Sequence, residues 1–287
     1  RPVMEWQNLQ AGQRDRTRAT SATRVANPQT RSNGATRVIR AAHQRCRLDT
    51  NDSMTDSAEA SEPVVTVEMH DNVAVVTIND GKVNALSYRL LSEGRAAFAQ
   101  AVESADAIVL AGNNKCLSAG FDLGEVMQGP EQRDAIISSG GDWFYEIFTC
   151  PKPVVVACTG HAVAGGVVFL LVGDTRIGRA GAYKLGFNEV LIGVPMPKFG
   201  ISLTQYRVVP PVAESILFGD MFAPEAARDA GLVDVLVEGD ADAVIEAAIA
   251  RAVELAARPA DAYGQTKIAA RQHLIDRFAT EARLSLG

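Results

Sequence analysis

The sequence predicts an α/β fold, because short apolar strands alternate along it with longer segments of helical periodicity. Two observations support this prediction. Runs rich in β-branched residues recur at 64–68, 73–78, 107–111 and 154–158, each bounded by turn-forming residues. Amphipathic or alanine-rich segments lie between or after them, and 287 residues are enough to bury a core. We therefore expect strands covered by helices.

The first 53 residues differ from the rest of the chain. They hold ten arginines, no lysine, four acidic residues and few large apolar side chains. Such a composition predicts a disordered extension, residues 1–53. Met54 is interpreted as the true start, with the arginine-rich part an upstream extension; a targeting peptide or a nucleic-acid-binding arm is the alternative. Deleting it should leave activity nearly unchanged.

The remainder of the chain is acidic, with 18 basic and 30 acidic residues. This balance argues against a nucleic-acid-binding surface. No apolar run approaches the roughly 20 residues that a membrane span needs. The four cysteines show no C-x-x-C spacing, which argues against a zinc site or a disulfide framework. A cytoplasmic protein without membrane, nucleic-acid or metal partners is expected.

The N-terminal half of this remainder begins with a predicted hairpin, strands 64–68 and 73–78. Ser87 is a good N-cap for a helix that continues to Ser104. Strand 107–111 leads into a glycine-containing loop at 116–123, where α/β sheets place ligand contacts. An aromatic-rich helix over 131–149 follows.

The central stretch holds the residues with the clearest chemical potential. Strand 154–158 precedes a glycine turn and a buried helix that opens at Gly165-Gly166. Unpaired N–H groups at a helix start can stabilise an oxyanion. Glu189 lies in an apolar, glycine-bounded segment, where desolvation should raise its pKa. Oxyanion donors and one base suffice for proton transfer beside a carbonyl.

The C-terminal third is predicted to be largely helical. Segment 195–211 is interrupted by prolines, and a helix with Pro224 near its start should end at Gly231. A strand over 232–237 and two helices, 241–257 and 259–284, complete the chain.

Four segments together resemble the crotonase, or enoyl-CoA hydratase/isomerase, superfamily. They are SAGFDL (118–123), GHAVAGG (160–166), LGFNEVLIG (185–193) and FAPEAARDAGLVDVL (222–236), in that family's order and spacing. The resemblance implies a spiral of ββα units over 54–240 and a C-terminal helical region, 241–287, on the trimerisation and CoA side. It further implies an acyl-CoA substrate, an enolate intermediate, and a homotrimer or dimer of trimers.

The resemblance also implies roles for individual residues. Phe121 and Gly165 correspond to the two oxyanion-hole N–H donors, and Glu189 to a catalytic glutamate. No cofactor beyond the CoA of the substrate is implied. Contacts to the substrate are expected from Ala85, Ala119, Asp122, Leu123, Gly124 and, near the CoA phosphates, Lys267, with Lys82 and Arg89 as other candidates.

Hydratases of this family use two glutamates, and Val168 occupies the position of the first. A single remaining base favours isomerisation of 3-enoyl-CoA to 2-enoyl-CoA in fatty acid metabolism. Two alternatives stay open: a hydratase-like enzyme in which Asp142 or Glu146 replaces the missing acid, and a non-catalytic acyl-CoA-binding protein.

Overall fold

A computed structural model describes residues 62–281 of the protein. The predicted extension 1–53 and the start at Met54 lie outside the described residues. The strands are β1 (Val65–His70), β2 (Val73–Ile78), β3 (Ala107–Ala111), β4 (Cys116–Ser118), β5 (Val154–Cys158), β6 (His161–Val163), β7 (Thr175–Arg179), β8 (Leu185–Gly186) and β9 (Val235–Val237). The helices are α1 (Tyr88–Ser104), α2 (Leu123–Val126), α3 (Pro130–Thr149), α4 (Gly165–Val172), α5 (Lys198–Arg207), α6 (Pro210–Leu217), α7 (Pro224–Asp229), α8 (Ala241–Ala256) and α9 (Ala260–Glu281).

The main sheet has six strands in the order β1-β2-β3-β5-β7-β9. β1 and β2 form the predicted antiparallel hairpin, which turns at Asp71 with a φ of 53°. All later neighbours are parallel. The central strands are almost entirely buried, as expected for a parallel sheet with both faces covered.

Helices cover both faces of this sheet. One face of the sheet is covered by α8, which packs against alternate residues of β2, β3, β5 and β7. The buried residues of α8 in this contact are Val244, Ala248, Ala252 and Leu255. On the other face, α1, α3 and α4 enclose the larger core, which contains the fully buried Trp143. Thus the first helix of the predicted C-terminal region is part of the core of the sheet. No helix within residues 62–281 combines the length and hydrophobicity that a bilayer crossing requires.

A second, three-stranded parallel sheet has the order β4-β6-β8. Its strands are two or three residues long, and sequence reasoning did not predict them as strands. The proline-interrupted segment at 195–211 contains α5 and the start of α6. Pro197 lies at the N-cap of α5 and Pro210 at the first position of α6, where the missing N–H would have no partner within the helix.

Helix α4 is completely buried, so its two ends need internal partners. Arg207 donates from Nε to the Leu171 carbonyl at 3.1 Å and from a terminal nitrogen to the Gly173 carbonyl at 2.7 Å. Arg271 also donates to the Gly173 carbonyl, at 3.3 Å. Burial, together with the nearby Arg271, lowers the pKa of Arg207 to about 10. Two guanidinium groups therefore cap the negative end of the α4 dipole, whose positive end lies at Gly165.

Candidate active site

The small sheet brings three of the sequence motifs to one edge. β4 leads to Phe121, β6 leads to Gly165, and β8 leads to Glu189. The strands are parallel, so their carboxyl ends lie on the same side, where α/β sheets place ligands. The link between the second and third motifs is direct, because the Ala164 N–H donates to the Gly186 carbonyl at 3.1 Å.

The loop that follows β4 is held on one side by Leu86. The Leu86 N–H donates to the Gly120 carbonyl at 2.8 Å, and the Asp122 N–H donates to the Leu86 carbonyl at 3.2 Å. In such a parallel bridge the residue between the two bonded ones, Phe121, directs its own N–H to the opposite side. Gly120 has a φ of +95°, which allows the sharp turn. The Phe121 N–H is thus directed away from Leu86.

The start of α4 lies against this loop. A Cβ atom on Gly165 would lie 3.5 Å from the Gly120 Cα and 2.7 Å from Leu86 Cδ1. Conversely, a Cβ on Gly120 would lie 3.4 Å from the Gly165 nitrogen. Ala164 has a φ of +51°, an uncommon conformation for a residue with a side chain, and it turns the chain from β6 into the helix. The two predicted oxyanion segments are therefore in direct contact.

Glu189 precedes a single 3-10 turn, Val190–Ile192, and its side chain is partly buried. Its Oε2 accepts a hydrogen bond from the Asn188 N–H at 3.0 Å. Burial raises the pKa of this carboxyl, and the backbone hydrogen bonds offset only part of the effect. The direction agrees with the sequence-based expectation. A raised pKa suits a group that must both take up and release a proton near neutral pH.

Comparison with known proteins decides the family. A family model described as enoyl-CoA hydratase/isomerase matches residues 68–285. The chain belongs to this enoyl-CoA hydratase/isomerase family. The α/β crotonase-like fold predicted from the sequence is confirmed, because the chain also matches solved structures of that family.

The relatives carry the names of both reactions. An apo structure of the enoyl-CoA isomerase of Mycobacterium tuberculosis shares 30% identity with a TM-score of 0.73, over 77% of this chain and 96% of that one. The human mitochondrial delta3-delta2-enoyl-CoA isomerase shares 25% identity with a TM-score of 0.71, over 76% and 86%. A Bacillus subtilis protein named probable enoyl-CoA hydratase shares 32% identity over 190 residues, 64% of this chain and 72% of that protein.

The chain also matches part of larger proteins. It spans about a quarter of the peroxisomal fatty acid β-oxidation multifunctional protein of Arabidopsis thaliana (25%) and of its glyoxysomal counterpart from Brassica napus (26%). Membership of the enoyl-CoA hydratase/isomerase family therefore leaves hydration and isomerisation both open for this chain.

Val168 stands where the resemblance expects the second acid that hydration would need, and Asp142 and Glu146 are the candidate replacements. Val168 is only 4% exposed and belongs to the main core. Asp142 lies 3.6 Å from Arg95, and Glu146 accepts two hydrogen bonds from Arg95 Nε at 3.1 and 3.2 Å. Arg95 extends from α1, so both carboxylates lie on the side of α3 that meets α1. Each of these acids already has a cationic partner.

Most of the expected substrate contacts cluster around the Phe121 loop. The Ala119 N–H donates to the Val83 carbonyl at 3.0 Å, and the Ala85 N–H donates to Asp80 Oδ2 at 3.1 Å. Asp122 caps α2 by accepting a hydrogen bond from the Glu125 N–H at 3.0 Å. The next two predicted residues, Leu123 and Gly124, are exposed in the first turn of α2.

Lys267 lies elsewhere, because it is buried in α9. Its Nζ donates to Asp174 Oδ2 at 2.7 Å and to the Lys152 carbonyl at 2.9 Å. Burial lowers the pKa of Lys267, and the Asp174 carboxylate opposes that shift. These hydrogen bonds give Lys267 an anchoring role for α9, and its contact with the CoA phosphates stays a prediction.

Asn84 is a site-forming residue that sequence reasoning did not single out. It is fully buried with a φ of 53°, and its Nδ2 lies within hydrogen-bond distance of the Ile78, Cys116 and Leu117 carbonyls, at 2.9 to 3.1 Å. Its own carbonyl accepts a hydrogen bond from the Ser118 hydroxyl at 2.7 Å. The available signal was Asn84 itself, which stands between a predicted strand and a predicted helix, since asparagine tolerates positive φ.

Proposed function

We propose that the protein is an enoyl-CoA isomerase that converts 3-enoyl-CoA to 2-enoyl-CoA, with Glu189 as the single acid–base group. One observation supports this most strongly. The chain keeps Glu189, whose pKa is raised by burial, and has the apolar residue Val168 at the position where the resemblance expects a second glutamate. Isomerisation needs one group that takes a proton and returns it. Hydration needs a second group to orient water.

In the proposed mechanism the N–H groups of Phe121 and Gly165 bind the thioester oxygen. The Glu189 carboxylate removes a proton from C2, and the C2–H electron pair forms a C1–C2 double bond while negative charge moves onto the thioester oxygen. The resulting dienolate is stabilised by the two donors. The Glu189 carboxylic acid then delivers the same proton to C4, and the double bond ends between C2 and C3. Atoms and charge balance, and the protein supplies only two N–H donors and one carboxylate, with CoA as part of the substrate.

The geometry of the site supports this division of roles. Both donors are main-chain groups on segments that touch, so no side-chain motion is needed to assemble them. The base is attached to the third strand of the same small sheet. The names of the plant relatives suggest a place in fatty acid β-oxidation, and the family resemblance suggests a homotrimer or a dimer of trimers as the assembly.

The test is proton exchange and product analysis in D2O. Wild-type protein is incubated with a 3-enoyl-CoA and, separately, with a 2-enoyl-CoA, and products are separated and weighed by mass spectrometry. We expect conversion of the 3-enoyl to the 2-enoyl thioester, little addition of water, and loss of conversion in Glu189→Gln. Glu254→Gln, which removes an exposed carboxylate on α8, is the matched control and should keep full activity.

Two results would overturn the proposal. Addition of water to the 2-enoyl thioester at a rate comparable to isomerisation would establish the hydratase alternative. Tight thioester binding by the wild type, with neither conversion of the 3-enoyl to the 2-enoyl thioester nor deuterium incorporation, would establish an acyl-CoA-binding protein without this chemistry.

A further inference from the structure

Helix α3 contains two adjacent glycines with different surroundings. A Cβ on Gly140 would lie 2.6 Å from both Cε1 and Cζ of the Phe121 ring and 3.8 Å from Leu91 Cδ2. A Cβ on Gly141 would meet no atom within 4 Å. Glycine in a helix interior is less favourable than alanine by up to about 1 kcal/mol. Only at Gly140 does a steric requirement explain the glycine.

The residue seated on Gly140 is the one whose main chain forms the first donor. On its backbone side, Phe121 is flanked by the two hydrogen bonds of Leu86. On its side-chain side, the tip of the ring rests on Gly140. We propose that Gly140 is a positioning residue, which holds the Phe121 ring and thereby fixes the direction of the Phe121 N–H. This inference rests on the proposed function, in which that N–H binds the thioester oxygen.

A side chain at position 140 would press on the Phe121 ring, because the neighbours of α3 hold the helix in place. Carbon atoms normally approach to about 3.5 Å, so a methyl group on residue 140 would overlap the ring by about 1 Å. α3 is prevented from moving away by its neighbours: a Cβ on Gly94 would lie 2.2 Å from Trp143 Cη2, and Phe144 packs edge-on against Phe169 with centroids 4.9 Å apart. The overlap must therefore be relieved at the Phe121 ring, and the proposal requires that the displaced ring shifts the peptide attached to it.

The test compares Gly140→Ala with the matched control Gly141→Ala. A misplacement of 1 Å can reduce a rate by about 100-fold. We expect Gly140→Ala to lower kcat for isomerisation by about 10- to 100-fold with KM changed less than about threefold. Gly141→Ala should behave as wild type.

A spectroscopic measurement separates positioning from a general structural role. The probe is octanoyl-CoA carrying 13C at the thioester carbonyl, bound to each variant and observed by difference infrared spectroscopy. Wild type and Gly141→Ala should lower the carbonyl stretching frequency relative to free probe, because the donors polarise the bond. Gly140→Ala should return the frequency toward the free value. Phe121→Ala, which removes the ring and keeps the N–H, should lose part of the shift, and Gly140→Ala should have little further effect in that background.

The outcomes distinguish failure of the positioning role of Gly140 from failure of the proposed function. If wild type polarises the carbonyl and isomerises the substrate, but Gly140→Ala matches Gly141→Ala in both measurements, the positioning role is wrong and the proposed function stands. The positioning role is also wrong if the double variant loses activity by the product of the two single-variant losses, because Gly140 and Phe121 would then act independently. If wild type neither shifts the carbonyl frequency nor isomerises a 3-enoyl-CoA, the proposed function fails and the inference fails with it. Should Gly140→Ala not fold, Phe121→Ala and the double variant still report whether the ring orients the donor.

Discussion

Replacing Asp174 by alanine should cause a large loss of stability, because this carboxylate holds α9 to the core of the main sheet. The Asp174 side chain is 8% exposed. It accepts from Lys267 Nζ at 2.7 Å and from Arg271 at 2.6 Å. It also accepts the Val154 N–H at 2.8 Å and the Tyr263 hydroxyl at 3.2 Å. One side chain therefore joins the start of β5 to three positions on α9.

The magnitude follows from what alanine would leave behind. The side chains of Lys267 and Arg271 are each only 5% exposed, so two cations would remain buried without their shared anion. Removing one partner of a buried ion pair costs about 3–5 kcal/mol. Since two cations and two neutral donors lose their acceptor, we expect Asp174→Ala to lower the free energy of unfolding by about 4 kcal/mol or more.

Urea denaturation followed by circular dichroism measures this change, provided that the m-value stays constant. Arg251→Ala is the control, since the Arg251–Glu254 pair is exposed at 35% and 65% and should contribute less than about 1 kcal/mol. A loss below about 1 kcal/mol in Asp174→Ala would refute the reasoning, because it would mean that water or rearrangement compensates the two cations.

Two further changes test the site. The pKa of Glu189 is raised in the folded state, so ionisation of Glu189 destabilises the fold as the pH rises above 4.5 through the folded-state pKa. Glu189→Gln should therefore raise Tm at pH 7 and give no such gain near pH 4. Thermal melts at these two pH values measure the difference. The double variant Asp142→Asn/Glu146→Gln should keep isomerase turnover within about twofold in a coupled assay, because both carboxylates already pair with Arg95 at a partly exposed site. A tenfold loss there would favour a relocated acid.

Five of the six main-sheet strands could be predicted from the sequence, whereas β7 and the strands of the small sheet were missed. β3 and β5 are five-residue apolar runs whose burial on both faces is visible in their composition. β6 has only three residues and exists because β4 and β8 pair with it from distant parts of the chain. Local patterns carry little information about such pairings, so the segment before Gly165 was read as a turn.

The candidate site shows the same division. Phe121, Gly165 and Glu189 could be nominated from the sequence because each lies in a motif of the family resemblance, and the structure brings their segments to one edge of the small sheet. Gly140 could not be predicted, because its proposed role depends on a contact with Phe121 between α3 and the loop that follows β4. Lys267 was placed near the CoA phosphates by the family resemblance, and the sequence does not reveal that its ammonium group meets the buried Asp174 carboxylate.

The identity of residue 168 also bears on how a single carboxylate can serve two carbons. In the proposed reaction the proton taken from C2 must stay on Glu189 until C4 accepts it, and contact with water would allow its loss. A second carboxylate near the site would attract and orient water, as hydration requires. Val168 is an apolar residue of α4 with 4% exposure, and in the proposed reaction it would offer no polar group to hold water near the dienolate. If the proposed reaction holds, the valine at the position where the resemblance expects a hydratase glutamate would therefore also protect the proton on which isomerisation depends.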